Sequence, residues 1–485
     1  MTGKRRFLPL QTPIVVNQNI LEMQYAVRGP IPRRAAALAD QGKVIIPCHI
    51  GNPQALGQAP LTYYRQVLSL VENPSHIDRE RKIKELFEEN PISDLKDSDF
   101  IPDDILALGE TIIENMKNGT GAYTESKGIR FFREAVAAYI DKRDGVDGAN
   151  GVKADPAKIF LTSGASGGIR LVIDMLIADE NDGIMLPIPQ YPLYSASIRK
   201  AGGVQVNFYP DEDRDWSFDR RLLETSIQKA MDQGVKVKGI VVINPWNPTG
   251  AVLSEESIHE VISFAKDYQL AIIADEVYQE NVYAGEFVSF AKALGTDEVP
   301  LFSVHSISKG YYGECGHRGG YLEVRNAPHI QGSEMDVVDL LTKQASVTLC
   351  ANTAGQILTY LMVSPPEEGS PSFQQFTQEK QRILNDLKEK AAMIREAFTQ
   401  MDGVECFGET GAMYLFPRLN KLPPGTTDFD YCMALLEETG LCTVNGAGFG
   451  QKPGTNHLRI AFLPSKEQLQ QVLPAWIEFH NNYVA

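Results

Sequence analysis

The sequence predicts an α/β fold: a large domain built on a mostly parallel sheet flanked by helices, with a smaller α+β domain beside it. Between residues 111 and 362, short β-branched runs alternate with helical stretches. Several of these runs are apolar throughout, which indicates strands that are buried on both faces of a sheet. Beyond residue 362, a long charged helix precedes mixed strands and helices, a pattern typical of an α+β unit.

Seven strand candidates define the large domain, and each is bounded by Gly, Pro, Asn or Asp. They are residues 158–162, 183–186, 204–209, 239–243, 271–274, 302–305 and 320–324. Helices are predicted over 219–231, 254–268 and 352–362. Parallel neighbours need crossover connections of this kind.

The two ends of the chain are expected to form the smaller domain together. The elements predicted beyond residue 362 are a helix over 374–400, strands over 412–416, 441–444 and 458–462, and helices over 428–438 and 465–481. The first 110 residues mix short apolar pieces with Pro-bearing turns. Because chain termini often lie close together, residues 1–110 are expected to join residues 363–485, beside a large domain of residues 111–362.

Composition excludes several classes of function. The 485 residues include 46 Lys plus Arg and 62 Asp plus Glu, a net charge of −16, so nucleic-acid binding is not expected. The six cysteines are scattered and form no disulfide framework, which favours a reducing, cytoplasmic location. The eight histidines include no metal-binding motif. No apolar run is long enough to span a membrane. The basic start, residues 1–10, is also compatible with a weak organelle address.

Two charged residues follow predicted strands, at the sheet edge where open α/β folds bind ligands. Lys309 lies among small residues in 306–310, and partial desolvation there favours the neutral amine that attacks a carbonyl. Asp275 ends the fifth strand, where a buried carboxylate needs a positive partner such as a protonated pyridine nitrogen. Taken alone, a solvated surface lysine and a helix-capping carboxylate are the commoner explanations.

Two further stretches suit a phosphate group. Residues 163–168 (SGASGG) expose backbone N–H groups before a helix that is predicted to start near Ile169, although they do not match the P-loop consensus. Arg318 lies among glycines and carries the planar fork that binds phosphate through two N–H groups. Each signal is weak by itself.

Aromatic, amide and basic side chains complete the candidate site. Two Asn-Pro steps within 244–248 fix the geometry around Asn247. Tyr191 offers an aromatic face to a planar ring, and Tyr278 lies three residues beyond Asp275. Arg459 alternates with apolar residues on a strand and therefore needs an anion, either a partner carboxylate or that of a substrate.

Taken together and in this order, these segments resemble the fold-type I, aspartate-aminotransferase-like enzymes that use pyridoxal 5′-phosphate. The resemblance runs from about Tyr123 to Arg459, and within that superfamily the chain is most similar to the alanine aminotransferases. The segments that carry the closer match are 24–29 (QYAVRG), 49–54 (HIGNPQ), 187–194 (PIPQYPLY), 274–281 (ADEVYQEN) and 308–316 (SKGYYGECG).

The resemblance implies a role for each candidate residue. Lys309 bonds covalently to the cofactor and later moves a proton at the substrate Cα, while Asp275 pairs with the protonated ring nitrogen. Tyr278 and Asn247 bind the phenolic oxygen of the ring, and Tyr191 stacks on its face. The implied phosphate ligands are Ala165, Ser166, Ser306, Ser308 and Arg318.

The resemblance also implies substrate contacts and a second subunit. Arg459 clamps the substrate α-carboxylate, and the implied substrate contacts as a set are Gly51, Tyr191, Asn247 and Arg459. Tyr123 matches a tyrosine that reaches the phosphate of a neighbouring subunit in this family, which implies a homodimer with shared sites.

The implied reaction converts L-alanine and 2-oxoglutarate to pyruvate and L-glutamate by a ping-pong mechanism through Lys309. Two departures from the alanine-specific pattern leave the amino donor open: Trp246, expected to fill space beside the cofactor or reshape the pocket, and the strand and turn of 444–450 and 458–462.

Two alternatives to this reaction stay open, and two others lack the sequence feature that they require. Another donor and acceptor pair such as glutamate and glyoxylate, and an elimination enzyme such as a C–S lyase, would use the same fold. A regulator built on an inactive domain would carry a basic DNA-binding module, which the first 110 residues lack. A dehydrogenase would need G-x-G-x-x-G after its first strand, whereas the glycine-rich stretch at 446–450 lies late in the chain and lacks that spacing.

Overall fold

The computed structural model describes residues 16–23, 29–96, 99–146 and 151–485. The basic start at 1–10 and residues 24–28 of the QYAVRG segment lie outside the described residues. Within the described ranges, no helix is both long and apolar enough to cross a membrane.

A seven-stranded sheet lies at the centre of the described fold. Its strands are β1 (Ile159–Thr162), β2 (Asp182–Pro187), β3 (Val204–Phe208), β4 (Lys236–Ile243), β5 (Ala271–Asp275), β6 (Leu301–Ser306) and β7 (Gly320–Arg325). The order is β1-β7-β6-β5-β4-β2-β3. All seven predicted strands are present, and the predicted α/β fold with a mostly parallel sheet is confirmed.

Strand β7 runs antiparallel to both of its neighbours, whereas the other neighbouring pairs are parallel. It follows β6 through residues 307–319 without an α-helical crossover. A connection of that kind returns the chain antiparallel to the strand it left. The connecting loop carries Lys309 and Arg318, so the reversal brings both cations to one edge of the sheet.

Helices cover the sheet and build the rest of the molecule. They are α1 (Gln18–Glu22), α2 (Pro30–Asp40), α3 (Thr62–Glu72), α4 (Ser75–Glu89), α5 (Asp103–Met116), α6 (Arg130–Asp144), α7 (Ala165–Leu176), α8 (Leu193–Ala201), α9 (Arg220–Asp232), α10 (Glu255–Asp267), α11 (Phe290–Leu294), α12 (Val337–Ser346), α13 (Thr353–Val363), α14 (Phe373–Phe398), α15 (Asp428–Thr439) and α16 (Lys466–Val484). Helix α7 packs against the central strands, and α13 packs against α6 and β7.

The N-terminal region is more helical than the sequence analysis expects. The prolines that suggest turns in the sequence mark helix starts: Pro30 is the first residue of α2, while Pro74 and Pro102 immediately precede α4 and α5. Proline fits the first turn because its missing N–H would have no partner there. The short apolar pieces between the prolines supply buried helix faces, such as Tyr64 and Val67 of α3.

The N-terminal segment and the C-terminal part of the chain pack together. The short strands β8 (Val404–Glu405), β9 (Tyr414–Leu415), β10 (Arg418–Leu419), β11 (Val444–Asn445) and β12 (Leu458–Ala461) form a pair, β10-β8, and a small sheet, β11-β12-β9. Ile46 forms a parallel bridge with Leu441, and the N–H of Ala461 donates to the carbonyl of Cys48 over 2.8 Å. These contacts agree with a small unit built from both termini. The boundaries at residues 110 and 362 stay a prediction.

Candidate active site

One cavity of about 440 Å³ brings together the predicted site residues apart from Tyr123. Those that line it are Gly51, Ala165, Ser166, Tyr191, Asn247, Asp275, Tyr278, Ser306, Ser308, Lys309, Arg318 and Arg459. The cavity lies where parallel strands end, because Asp275 and Ser306 are the last residues of β5 and β6. Tyr123 lies elsewhere, on the surface, with 78% of its area exposed.

The turn after β6 directs Lys309 into this cavity. The N–H of Ser308 donates to Ser306 Oγ over 3.0 Å, and the N–H of Gly310 donates to the buried Asn281 Oδ1 over 2.9 Å. Gly310 has a φ of +66°, which a residue with a side chain rarely adopts. The Lys309 amine donates to the carbonyl oxygen of Gly51 over 2.6 Å, a contact with the N-terminal segment.

Asp275 is a buried carboxylate whose hydrogen-bond partners are neutral. Its Oδ2 accepts from the Tyr194 hydroxyl over 2.6 Å, and its Oδ1 accepts a longer contact from the N–H of Val277 at 3.4 Å. Burial raises the pKa of Asp275 to about 6, against the opposing effects of these two hydrogen bonds and of the positive charge on Lys309. An ionised carboxylate held in this way favours a cation beside it.

An anion cradle forms where helix α7 begins. The helix starts at Ala165, so the prediction of a start near Ile169 is wrong by more than one turn. Gly164, with φ of +71°, turns the chain directly into the helix and offers no side-chain cap. The small residues that suggest a loop in the sequence are therefore the first helical turn, where backbone N–H groups have no partner within the helix. The amides of Ala165 and Ser166 consequently lie at the positive end of a helix.

Arg318 lies beside this helix start and bonds to neutral oxygens. One terminal nitrogen donates to Ser166 Oγ and to the carbonyl of Ser163, each over 3.0 Å, and the other donates to the carbonyl of Cys315 over 3.1 Å. A Cβ on Gly164 would lie 2.5 Å from the guanidinium, so only glycine allows this approach. Guanidinium, helix amides and serine hydroxyls together provide what a phosphate dianion needs.

Arg459 is a buried guanidinium that, like Arg318, has no counter-ion among its hydrogen-bond partners. It is 2% exposed, and it donates to Asn247 Oδ1 over 3.1 Å and to the carbonyl of His49 over 2.8 Å. Its Nε has no hydrogen-bond partner among the described residues. Burial and the charge on Arg459 lower the pKa of His49 to about 4, so this neighbour is neutral at pH 7. A buried arginine of this kind calls for an external anion.

Several residues of the cavity wall have no predicted role in the sequence analysis. They are Asn52, Cys315 and Tyr414, together with Tyr194 behind Asp275. Tyr194 and Tyr414 belong to segments that the sequence analysis singles out, 187–194 and the strand over 412–416. Nothing local in the sequence indicates that their hydroxyl groups meet Asp275 and Tyr278.

Trp246 does not line the cavity, so the expectation that it fills space beside the cofactor is wrong. Its side chain is fully buried and meets the rings of Trp216 and Phe218 edge-on, with centroids 5.7 and 6.0 Å away. The turn at 446–450 is closer to the site, because Phe449 lies 4.7 Å from the Arg459 guanidinium. Phe449 therefore lies within reach of the proposed carboxylate site, and Trp246 is connected to the cavity through its chain neighbour Asn247.

The cavity fits pyridoxal phosphate in three parts. The cradle at α7 and Arg318 suits the phosphate, Asp275 suits a protonated ring nitrogen, and the Lys309 amine suits the aldehyde. These are the charges and nucleophile that the cofactor requires, in one cavity of suitable size.

Comparison with known proteins extends this result to the whole chain. The family model described as "Aminotransferase class I and II" matches residues 87–475. Glutamate–glyoxylate aminotransferase 2 of Arabidopsis thaliana is 40% identical over 488 residues, covering 97% of this chain and 96% of that protein. Alanine aminotransferase 1 of Homo sapiens is 41% identical over 498 residues, covering 96% and 94%.

The fold has solved relatives as well. The structure of an alanine aminotransferase from Pyrococcus furiosus has a TM-score of 0.76 at 24% identity, covering 96% of this chain and 100% of that one. An aspartate aminotransferase from Thermotoga maritima has a TM-score of 0.71 at 21% identity, covering 96% and 100%. These two likenesses concern the fold and confirm the aspartate-aminotransferase-like architecture. The family match and the full-length relatives show more: this chain belongs to the class I and II aminotransferase family and is a pyridoxal-phosphate-dependent transaminase.

Proposed function

We propose that this transaminase exchanges an amino group between L-alanine and 2-oxoglutarate, giving pyruvate and L-glutamate. An α-amino acid substrate is supported by Arg459, a buried guanidinium with neutral partners that lines the same cavity as Lys309. The choice of alanine is supported by the relatives named alanine aminotransferase. The Arabidopsis relatives named glutamate–glyoxylate aminotransferase make that pair the second candidate.

Groups at both ends of the cavity would hold the cofactor. When bound, pyridoxal phosphate supplies an aldehyde and a protonated pyridine ring that withdraws electrons from the substrate Cα. Asp275 balances the positive ring from its buried position, and Tyr194 keeps that carboxylate in place. The proposed phosphate ligands are Ala165, Ser166, Ser306, Ser308 and Arg318. Tyr278 and Asn247 would bind the phenolic oxygen, and Tyr191 would cover the ring face.

The substrate is oriented by two further groups. Arg459 binds the α-carboxylate through its planar fork and so limits rotation about the bond to Cα. Gly51 gives backbone contact and accepts the hydrogen bond of the Lys309 amine. Lys309 would then move the proton between the substrate Cα and C4′ of the cofactor. Asn247, which accepts from Arg459, links the carboxylate site to the cofactor site.

A panel of amino donors tests the proposed substrate pair. With 2-oxoglutarate as acceptor, L-alanine is expected to give a kcat/KM roughly tenfold or more above L-aspartate, because a pocket that fits one side chain penalises another by about that factor. Steady-state assays of pyruvate and L-glutamate formation measure this. L-Glutamate with glyoxylate is the second arm, and a higher kcat/KM there would favour the second candidate. A preference for aspartate or aromatic donors would contradict both.

Lys309→Ala is the inactive control for this panel. Removal of the amine is expected to lower turnover about 10³-fold or more for every donor, since the same group bonds the cofactor and moves the proton. Its circular dichroism spectrum should match that of the parent. Near-normal turnover in this variant would remove Lys309 from the chemistry.

Asp275→Asn is expected to change stability and cofactor affinity in opposite directions. In the cofactor-free protein, burial raises the pKa of Asp275 from 3.8 to about 6, so the folded state binds more protons than the unfolded state between these values. Stability contributed by this group therefore falls as pH rises from about 4 to 6, by roughly 3 kcal/mol, and stays lower above pH 6. Asn does not titrate and avoids this cost.

Urea unfolding of both cofactor-free proteins at pH 4 and pH 8 measures this effect. The variant should be the more stable protein at pH 8, and the difference should shrink towards pH 4. Titration with pyridoxal phosphate should show the reverse order, with the variant binding more weakly because the ring nitrogen loses its counter-ion. A variant that is less stable at pH 8 and binds the cofactor equally well would contradict the proposed pairing.

We also propose that the enzyme is a homodimer with shared sites. Tyr123 is 78% exposed, and the neighbouring surface carries Val347 at 81% exposure, near the contact of Ser346 with Ser126. In the proposed dimer, Tyr123 reaches the phosphate of the other subunit. Mixed dimers of Lys309→Ala and Tyr123→Phe subunits would then contain one fully native site. Mixing equal amounts should raise activity above the mean of the two parent variants, and a sedimentation mass of one chain would contradict the proposal.

A cytoplasmic location stays a prediction. It rests on the six free cysteines, three of which are buried, since thiols remain reduced in that compartment. Imaging of the full chain with a C-terminal fluorescent protein checks it. Accumulation in an organelle would contradict it and would favour an address at the basic start.

A further inference from the structure

Tyr414 lies between the two cations that handle the substrate in the proposed function. It is a buried residue of β9, and β9 pairs with β12, the strand that carries Arg459. The side chain lines the same cavity as Lys309 and Arg459. Its two ends meet different parts of the site, which makes their contributions separable by mutation.

The ring end of Tyr414 holds Arg459. The guanidinium carbon lies 4.3 Å from the centre of the Tyr414 ring and 4.7 Å from that of Phe449. Contact between a guanidinium and aromatic faces is favourable, more so when both are removed from water. The ring therefore limits the orientations of the fork that is proposed to bind the α-carboxylate.

The hydroxyl end of Tyr414 lies against Gly51. A Cβ built on Gly51 would stand 2.0 Å from the Tyr414 hydroxyl oxygen and 3.5 Å from the Lys309 nitrogen, so these groups surround the same point. The carbonyl of Gly51 accepts the hydrogen bond of the Lys309 amine over 2.6 Å. The hydroxyl thus packs against Gly51, whose carbonyl accepts the hydrogen bond of the reacting amine.

Electrostatics agree with this position between two positive charges. Burial by itself raises the pKa of Tyr414, but the charges of Lys309 and Arg459 and a hydrogen bond from Tyr278 outweigh it, so the pKa lies below its usual value. The Tyr278 hydroxyl donates to the Tyr414 oxygen over 3.4 Å. The hydroxyl oxygen therefore lies within the field of both cations.

We infer that Tyr414 is a positioning residue with two separable functions. Its ring orients Arg459 for the substrate carboxylate, and its hydroxyl packs against Gly51 and thereby positions the Lys309 amine. The inference rests on the proposed roles of Lys309 and Arg459 and gives a role to a residue for which the sequence predicts only a place on a strand. It predicts that the two ends of one side chain affect different kinetic constants.

Comparison of Tyr414→Phe with Tyr414→Leu tests the inference on the holoenzyme. Phe keeps the ring and loses the hydroxyl, so kcat should fall roughly tenfold while KM for the amino donor stays within about twofold. Leu loses both ends, so kcat should fall by a similar factor and KM should in addition rise roughly tenfold. The donor is the best amino acid of the panel above, at saturating 2-oxo acid.

Gly51→Ala probes the hydroxyl contact from its other side. The new methyl group would collide with the Tyr414 oxygen, so this single variant should lose most of its kcat. The double variant Gly51→Ala with Tyr414→Phe removes that oxygen and leaves the ring carbon 3.1 Å away. Its kcat should exceed that of Gly51→Ala by about tenfold.

Tyr431→Phe is the matched control. Tyr431 is also a buried tyrosine with a bonded hydroxyl, but its partners are His480 and Trp476, away from the cavity. This variant should lower the melting temperature and leave kcat and KM unchanged.

Two results would overturn the inference: an unchanged kcat in Tyr414→Phe, or no kinetic gain on adding Tyr414→Phe to Gly51→Ala. An equal change in KM for the Phe and Leu variants would overturn the function of the ring. In each case, loss of activity in Lys309→Ala and Arg459→Leu would leave the proposed function standing. Activity that survives in those two variants would instead refute the proposed function itself.

Discussion

The site depends on charges that the fold places in one cavity while giving them neutral hydrogen-bond partners. Lys309 donates to a carbonyl, Arg318 to a hydroxyl and carbonyls, Arg459 to an amide oxygen and a carbonyl, and Asp275 accepts from a hydroxyl and a backbone N–H. Keeping charge in or near a protein interior without a counter-ion costs several kcal/mol. Asp275 and Arg459 are the buried members of this set, so a ligand that brings a positive ring and a carboxylate relieves that cost where it is largest.

The parallel sheet makes this arrangement possible, because its strands end at one edge and deliver their following residues to one place. Two glycines then allow other side chains to approach the backbone closely, which aligns the remaining groups of the site. Gly164 lets Arg318 lie against the start of α7, and Gly51 lets a tyrosine hydroxyl lie beside the Lys309 amine. A net charge of −16 is no obstacle to anionic ligands, since the local field at this edge is positive.

Much of the fold and of the candidate site could be predicted, and the errors have physical causes. The seven strands were visible because buried parallel strands are short, apolar and bounded by turn residues. The helices of the first 110 residues were missed because prolines at helix starts look like turn signals. The start of α7 was misplaced because glycine, alanine and serine suit a loop and a tightly approached helix start equally well. A place beside the cofactor is wrong for Trp246 because membership of a turn does not fix the direction of a side chain.

The α/β class, the order of the strands along the chain and the chemistry-bearing residues after them can be read from the amino-acid sequence, because periodicity and short motifs are local properties. Which of those residues meet depends on how distant parts of the chain pack together. Tyr194 reaches Asp275 across 81 positions, and Gly51 reaches Lys309 across 258. The place of Tyr414 between Lys309 and Arg459 likewise follows from the pairing of β9 with β12 and from the path of the N-terminal segment. Such contacts have no local signature, since they are set by the packing of whole elements against one another.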